Sequence, residues 1–312
     1  MAHARRFRFG VQLNRPFEGT TWIDSVKAVE DIGYSTLFLP DHFEDQFGPI
    51  VAMAVAATVT TTMNVGALVF DNDYRHPVVL AKEMATLDVV SGGRVELGLG
   101  AGWMRTDYEQ SGIVEDGPKV RVDRMMESVA VLRGLFGDGP FSFDGEHYTI
   151  TELDGTPSPF TPGGPPVLIA GGAKRMLRFA GAHADIVGVN PSVHSGAIDS
   201  AAARDGMADR MDEKFSWVRE GAGDRFDDLE FNAWVPVASI TDDPDGFAEL
   251  IAPTFGVAAR EALDSPMTMV GTVAGIGEQL EQRRERWGFS YHVIQQESAF
   301  DMAPVVAAYS GG

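Results

Sequence analysis

The chain has 312 residues, 44% of them apolar, no cysteine, and 25 Lys and Arg against 45 Asp and Glu, a formal charge of −20. That length suits one large α/β domain or two ordinary ones, with enough apolar residues for a large core. The composition excludes disulfides and thiolate metal sites, and the acidic field opposes nucleic acid and anionic membranes as partners.

The first residues carry no apolar targeting stretch and no run of 18 apolar residues occurs, so a cytoplasmic protein is expected. Residues 7–13 read as a strand. Trp22, Val26, Val29 and Gly33 then fall at helical spacing, with glycine as the stop. A second strand is predicted at 34–39, ended by Pro40, then an alanine-rich helix at 49–60 and a third strand at 63–70. Pro77 opens a helix whose inner stripe is Leu80, Met84 and Leu87. The run from Leu87 to Trp103 reads as a helix end, a glycine turn, a fourth strand at 94–99 and a glycine-rich exit that presents Trp103. A polar segment precedes a helix with Val122, Met125, Val129, Leu132 and Phe136 in register. Residues 137–165, rich in Gly, Pro and Asp, read as an inserted loop region. Strands resume at 166–170, 185–189, 229–236 and 290–295, with helices at 174–182, 245–251, 276–287 and 300–309.

Eight strands alternating with helices, and no linker between halves, predict a single (β/α)8 TIM barrel over 1–312 with insertions at about 137–165 and 191–228. A doubly wound sheet is the main competitor. It is disfavoured because residues 98–102 are G-x-G-x-G, not the dinucleotide fingerprint G-x-G-x-x-G, and no acidic residue ends a strand about 20 residues on.

In a barrel, ligands bind beyond the C-terminal ends of the strands. The residues expected there are Asn14, Asp41, His42, 70–73, Gly102, Trp103, 171–174, Asn190, Gln295 and Gln296. His42 can give or take a proton near neutral pH. Asp41 and His42 suit equally well the capping of the next helix. Ala170, Gly171, Gly172 and Ala173 lead into a helix start, where free N–H groups make a seat for phosphate, with Lys174, Arg175 and Arg178 adding positive charge. Such glycines also occur as plain turns. Trp103, Trp22, Phe43 and Trp234 are candidates for an apolar pocket wall, although aromatics also pack in cores. His76, before Pro77, reads as structural. His147, His183, His194 and His292 lack paired ligand spacing, so no metal site is expected. No Ser-His-Asp ordering or nucleophile elbow is present.

Several words, taken in order, resemble luciferase-like oxidoreductases of the bacterial luciferase superfamily, in particular the coenzyme F420 (deazaflavin)-dependent branch. They are Leu39-Pro40-Asp41-His42-Phe43, Arg75-His76-Pro77, Ser91-Gly92-Gly93-Arg94, Leu97-Gly98-Leu99-Gly100-Ala101-Gly102-Trp103, Ile169-Ala170-Gly171-Gly172, His183-Ala184-Asp185 and Gly271-Thr272. The resemblance spans roughly 7–305. It implies a barrel with a deazaflavin or isoalloxazine ring at its mouth and a non-proline cis peptide at the end of the third strand, between Ala67 and Leu68. It places the family's histidine on His42, with Asp41 beside it, and the phosphate seat on Ala170 to Ala173, flanked by Lys174.

The activity implied is an F420-dependent oxidoreductase that moves hydride between the deazaflavin C5 and a small organic substrate. His42 would handle the proton, and Asn14, Phe43 and Trp103 would shape the substrate pocket. Two alternatives stand beside it: an FMN-dependent monooxygenase on the same barrel, and a non-catalytic paralogue that binds flavin or deazaflavin. The family's sugar-phosphate dehydrogenases carry a glutamate where this chain has Trp103, and a tryptophan where it has Glu44-Asp45-Gln46. Those departures favour a larger or more apolar substrate. The family also implies a homodimer, with the helical face around Leu80 to Leu87 as one candidate interface; the same stripe suits barrel packing equally well.

Overall fold

A computed structural model describes residues 5–193 and 195–311. Eight parallel strands close into a ring: β1 (Arg8–Gln12), β2 (Thr36–Leu39), β3 (Asn64–Ala67), β4 (Val95–Gly100), β5 (Val167–Gly171), β6 (Ile186–Val189), β7 (Glu230–Val235) and β8 (Phe289–Gln295). Each pairs with the next, and β1 closes on β8 from Arg8↔Tyr291 to Gln12↔Gln295. The eight helices behind them are Trp22–Ile32, Pro49–Val59, Pro77–Ser91, Pro118–Leu135, Lys174–His183, Ala208–Ala222, Val273–Trp287 and Ala303–Tyr309. This is the α/β barrel that the alternation predicts.

Local chemistry sets the boundaries. Thr21 caps the first helix through the Asp24 N–H, and Gly33 ends it at φ 102°, a left-handed conformation open to glycine at little cost. Pro77 starts the third helix, and Gly92 stops it in the same conformation at φ 70°. Leu80, Met84 and Leu87 are buried on this helix. The stripe is therefore barrel packing, and the helix leaves Val79, Val89 and Val90 exposed instead.

The barrel interior is layered. At the N-terminal end Arg8 bridges Glu96 (2.5 Å) and Glu230 (2.6 Å), and its guanidinium lies 3.5 Å from the centre of the Tyr291 ring. This paired cluster plugs the bottom of the ring. Above it Phe38, Leu168, Ile186, Tyr291 and Val293 pack together, with Leu68 and Val69 against them. Polar plug and apolar layer block the lower barrel, so free space is left at the C-terminal mouth.

Four stretches differ from expectation. Residues 137–165 contain an antiparallel hairpin, Pro140–Asp144 with Thr149–Asp154, because Phe141 seats its ring against Gly134. Residues 208–222, expected within an insertion, are the sixth barrel helix, and the excursion before it includes the short helix Ser200–Asp205. The polar segment after Trp103 includes the helix Arg105–Ser111. Beyond β7, Val237–Ile240 pairs in parallel with Thr268–Gly271, with Pro244–Phe255 and Ala259–Asp264 between them. Among the described residues no helix is long and apolar enough to cross a membrane.

Candidate active site at the barrel mouth

A cavity of about 450 Å³ opens at the C-terminal ends of the strands, a volume in the range of small-molecule sites. One wall is built by glycine. A Cβ on Gly98 would fall 2.0 Å from the Ala67 carbonyl oxygen, and one on Gly100 would fall 2.6 Å from Val69 Cγ2. The alternating glycines on the inner side of β4 thus let the chain after β3 lean over the barrel. They serve this close approach rather than a phosphate. The peptide between Leu68 and Val69 is cis, one residue later than expected. Ala67 still pairs with Leu39, and the Leu68 N–H still donates to the Leu39 carbonyl at 2.9 Å, so Ala67 remains part of the sheet. Leu68 and Val69 line the cavity and Ala67 does not. The Gln12 side chain pins the bend by donating to the Leu68 carbonyl at 3.1 Å.

His42 lies on the wall just past β2. Its Nδ1 is 2.7 Å from Asp107 Oδ2. Asp107 is 2% exposed and also accepts from the Phe43 N–H (3.1 Å) and the Tyr74 hydroxyl (2.9 Å). Trp103 meets the imidazole edge to face, with ring centres 5.3 Å apart at 82°. The ring is thus fixed in place, and among the described residues its Nε2 has no hydrogen-bond partner. Asp41 is different. Arg75 grips both its oxygens (2.5 and 2.9 Å), and the Asp71 N–H donates to it at 3.0 Å. These bonds tie the 70–75 turn to β2, so Asp41 positions the wall.

Asp71 also lines the cavity. Burial first, then the nearby carboxylates of Asp73 and Asp41, push its carboxyl up to about 7, and donation from the Asp73 N–H and the Tyr108 hydroxyl offsets this only in part.

Ala170, Gly171, Gly172 and Ala173 form another part of the wall. The helix Lys174–His183 begins at Ala173 with no side-chain cap, so its first N–H groups are available to an anion. The glycine pair is needed by the protein itself: a Cβ at Gly171 would meet Met176 Cγ at 2.4 Å, and one at Gly172 would meet the Ser192 nitrogen at 2.4 Å. Behind the turn, buried Lys214 donates to the Gly172 carbonyl (2.7 Å) and to Asp205 (2.6 Å). Burial lowers the Lys214 pKa and the Asp205 pair opposes that shift.

Some expected residues lie elsewhere. Lys174 does not line the cavity; it pairs with Glu220 at 3.3 Å because its helix packs along Ala208–Ala222. Arg175 pairs with Asp123, and Arg178 lies 3.6 Å from Glu220. Among the described residues Arg121 is the one Lys or Arg on the cavity wall, with Nη1 on Glu115 at 3.1 Å. Asn14 is exposed and its N–H bonds Gln296; the inward residue of β1 is Gln12, two positions earlier. Phe43 is 53% exposed and packs on Tyr74 outside the cavity. Trp22 packs on Phe47, away from the mouth, whereas Trp234 and Asn190 do line it. His194 lies outside the described residues. The sequence reading missed Asp107, Tyr108, Arg121 and Lys214. Only Asp107 carried a local signal, one helical turn after Trp103. The roof is apolar, with Ile198, Ala202, Met207 and Met267.

The family model described as luciferase-like monooxygenase matches residues 7–218. The 5,10-methylenetetrahydromethanopterin reductase of Archaeoglobus fulgidus is 30% identical over 167 residues, 54% of this chain and 48% of that protein. Pyrimidine monooxygenase RutA of Enterobacter sp. is 35% identical over 111 residues, 35% of this chain and 30% of that protein. The chain thus spans about half or less of these relatives. The coenzyme F420-dependent tetrahydromethanopterin reductase of Methanopyrus kandleri superposes with a TM-score of 0.75 at 18% identity, over 98% of this chain and 100% of that one. The oxygenating constituent of 3,6-diketocamphane monooxygenase from Pseudomonas putida, in complex with FMN, gives 0.69 at 16%, over 98% and 96%. At these identities the structural likeness is one of fold.

Proposed function

The chain belongs to the luciferase-like monooxygenase family, and on that ground we propose that it is an F420-dependent oxidoreductase acting on a small, largely apolar organic substrate. The observation that carries this reading is His42 held at Nδ1 by Asp107 on the wall of an apolar chamber. The F420-dependent reductase of the same fold supports the choice of cofactor.

The chamber fits a planar ring with a phosphate arm: Leu68 and Val69 offer an apolar back wall, and the uncapped N–H groups after Ala173 suit the phosphate. A bound deazaflavin supplies two-electron hydride chemistry. The protein's own work is positioning and proton handling. His42 Nε2 faces the proton traffic that accompanies the hydride, and Asp107 fixes the tautomer and tilt of the ring. Trp103 and Trp234 shape the substrate side. Ile198, Met207 and Met267 exclude water above it.

A second reading, an FMN-dependent monooxygenase, draws on one specific observation. Lys174, Arg175 and Arg178 are all paired with carboxylates, so they offer no free cationic groove to the acidic tail of F420. The RutA match and the FMN-bound neighbour point the same way. Titration of the purified apoprotein with F420 and with FMN, read by fluorescence or calorimetry, tests both. F420 binding much tighter than FMN is expected. The reverse moves the protein to the oxygen-using reading, and binding of neither removes both.

A further inference from the structure

Asp71 ends the short strand Phe70–Asp71, which runs beside the end of β4 and pairs Asp71 with Gly100. That pairing brings its carboxyl to the cavity wall, 8% exposed. A Cβ on Gly102 would lie 2.6 and 2.9 Å from the two Asp71 oxygens and 1.9 Å from the Tyr108 hydroxyl. Glycine at 102, with φ +77°, therefore makes room for both groups at the strand exit that presents Trp103.

The Tyr108 hydroxyl oxygen lies 3.2 Å from Asp71 Oδ2 and 3.1 Å from Asp73 Oδ2. A phenol has one proton to donate. One proton reaches both oxygens only as a shared three-centre bond; each contact is a full two-centre hydrogen bond when one carboxyl is protonated and donates to the phenol oxygen. Asp73 holds Arg124 through Nε (3.0 Å) and Nη2 (2.8 Å), so it is the ionised member. Among the described residues Asp71 has no cation of its own. Arg75 is committed to Asp41, and Arg121, 5.4 Å from the Tyr108 ring centre, is bonded to Glu115. The other groups facing Asp71 are the Asp41 carboxylate and the Tyr74 and Tyr108 phenols, none of which stabilises a negative charge there as a cation would. Asp71 is therefore the carboxyl that carries the extra proton.

We propose that Asp71 is the proton donor of the cavity, with His42 left as the acceptor. The proposal rests on the hydride-transfer reading above. In the reducing direction a C=C, C=N or C=O bond of the substrate takes hydride from the reduced deazaflavin at one atom, and its π bond breaks. The neighbouring atom takes the proton from Asp71 Oδ2, leaving aspartate. His42 Nε2 would take up the ring N–H proton that a bound deazaflavin releases on oxidation. Water returns a proton to Asp71 and removes one from His42, so two electrons and two protons pass from carrier to substrate.

The test combines two readouts on wild type, Asp71→Asn and Tyr108→Phe. The first is a pH titration of the ligand-free protein labelled with [13Cγ]-aspartate and followed by NMR. One carboxyl titrating near 7 is expected in wild type. It should disappear in Asp71→Asn and shift in Tyr108→Phe, which keeps Asp71 but removes its phenol hydrogen-bond partner. A full set of carboxyls in the ordinary range overturns the proposal, whether or not Asp71→Asn folds. The second readout is oxidation of reduced F420 with 2-cyclohexenone, N-benzylidenemethylamine and acetone as probes. A fall in kcat of about 100-fold or more in Asp71→Asn is expected, with unchanged F420 affinity and loss of the decline that wild type shows as pH rises through 7. Retained turnover with an unchanged pH profile overturns the donor role. If wild type turns over none of the three probes, the hydride-transfer reading fails and the donor role with it; an ordinary titration of Asp71 defeats the donor role alone.

Discussion

At His42 one hydrogen bond decides what the imidazole offers the cavity. Asp107 takes Nδ1, so the chemistry falls to Nε2. His42→Ala is expected to lower turnover by about 100-fold or more while F420 affinity stays near that of wild type, measured by single-turnover kinetics beside a fluorescence titration. Asp71 predicts a pH effect on stability. Its folded-state pKa, about 7, lies above that of the unfolded chain. Its neutral form therefore contributes stability that is complete below the ordinary carboxylate range and lost as pH rises through 7. Urea unfolding should show wild type losing ground to Asp71→Asn between pH 5 and pH 8. Legibility at this scale follows locality. His42, Trp103 and Ala170 to Ala173 sit in short words at strand exits, where the next few residues fix direction. Asn14, Phe43 and Lys174 sit in equally suggestive words, but whether a side chain beyond a strand turns inward depends on partners such as Gln296, Tyr74 and Glu220.

Among the elements, β4 is the most constrained. Its inner side is glycine because the chain after β3 occupies the space, and the obstacle at Gly98 is backbone rather than a flexible side chain. Gly98→Ala should cost at least about 1–3 kcal/mol, read as a lower urea midpoint, and should distort the Leu68–Val69 wall. The eight strands were legible because each is a short apolar run between clear stops such as Gly33, Pro40 and Gly92. The hairpin Pro140–Asp144 with Thr149–Asp154 was not. Its Gly, Pro and Asp content hides the alternation of Phe141 and Phe143, which matters only once Gly134 is there to receive a ring. The sixth helix was missed for a related reason: polar Ala208–Ala222 shows its buried side, Met211, Phe215 and Val218, only against the barrel.

For the whole molecule, charge and closure matter most. A formal charge of −20 repels itself over the Debye length, which falls from about 10 Å at 0.1 M salt to about 3 Å at 1 M. The melting temperature should therefore be higher in 1 M than in 0.1 M sodium chloride by scanning calorimetry; a lower value would mean that exposed ion pairs outweigh the repulsion. Closure of the ring was readable from the count of eight units, since a sheet of that size with helices behind every strand has few other ways to cover its edges.

The pairing of β1 with β8 also bears on how the chain is made. A ribosome releases Arg8 long before Tyr291 exists to lie beneath its guanidinium, and Glu96 and Glu230 emerge at widely separated times. Until Phe289–Gln295 clears the exit tunnel, the nascent sheet has two open edges, and its apolar inner face cannot be sealed. Local helix–strand pairs can form on the way, but the ring can lock only after residues 289–295 have been translated, in a single late step that joins β1 to β8.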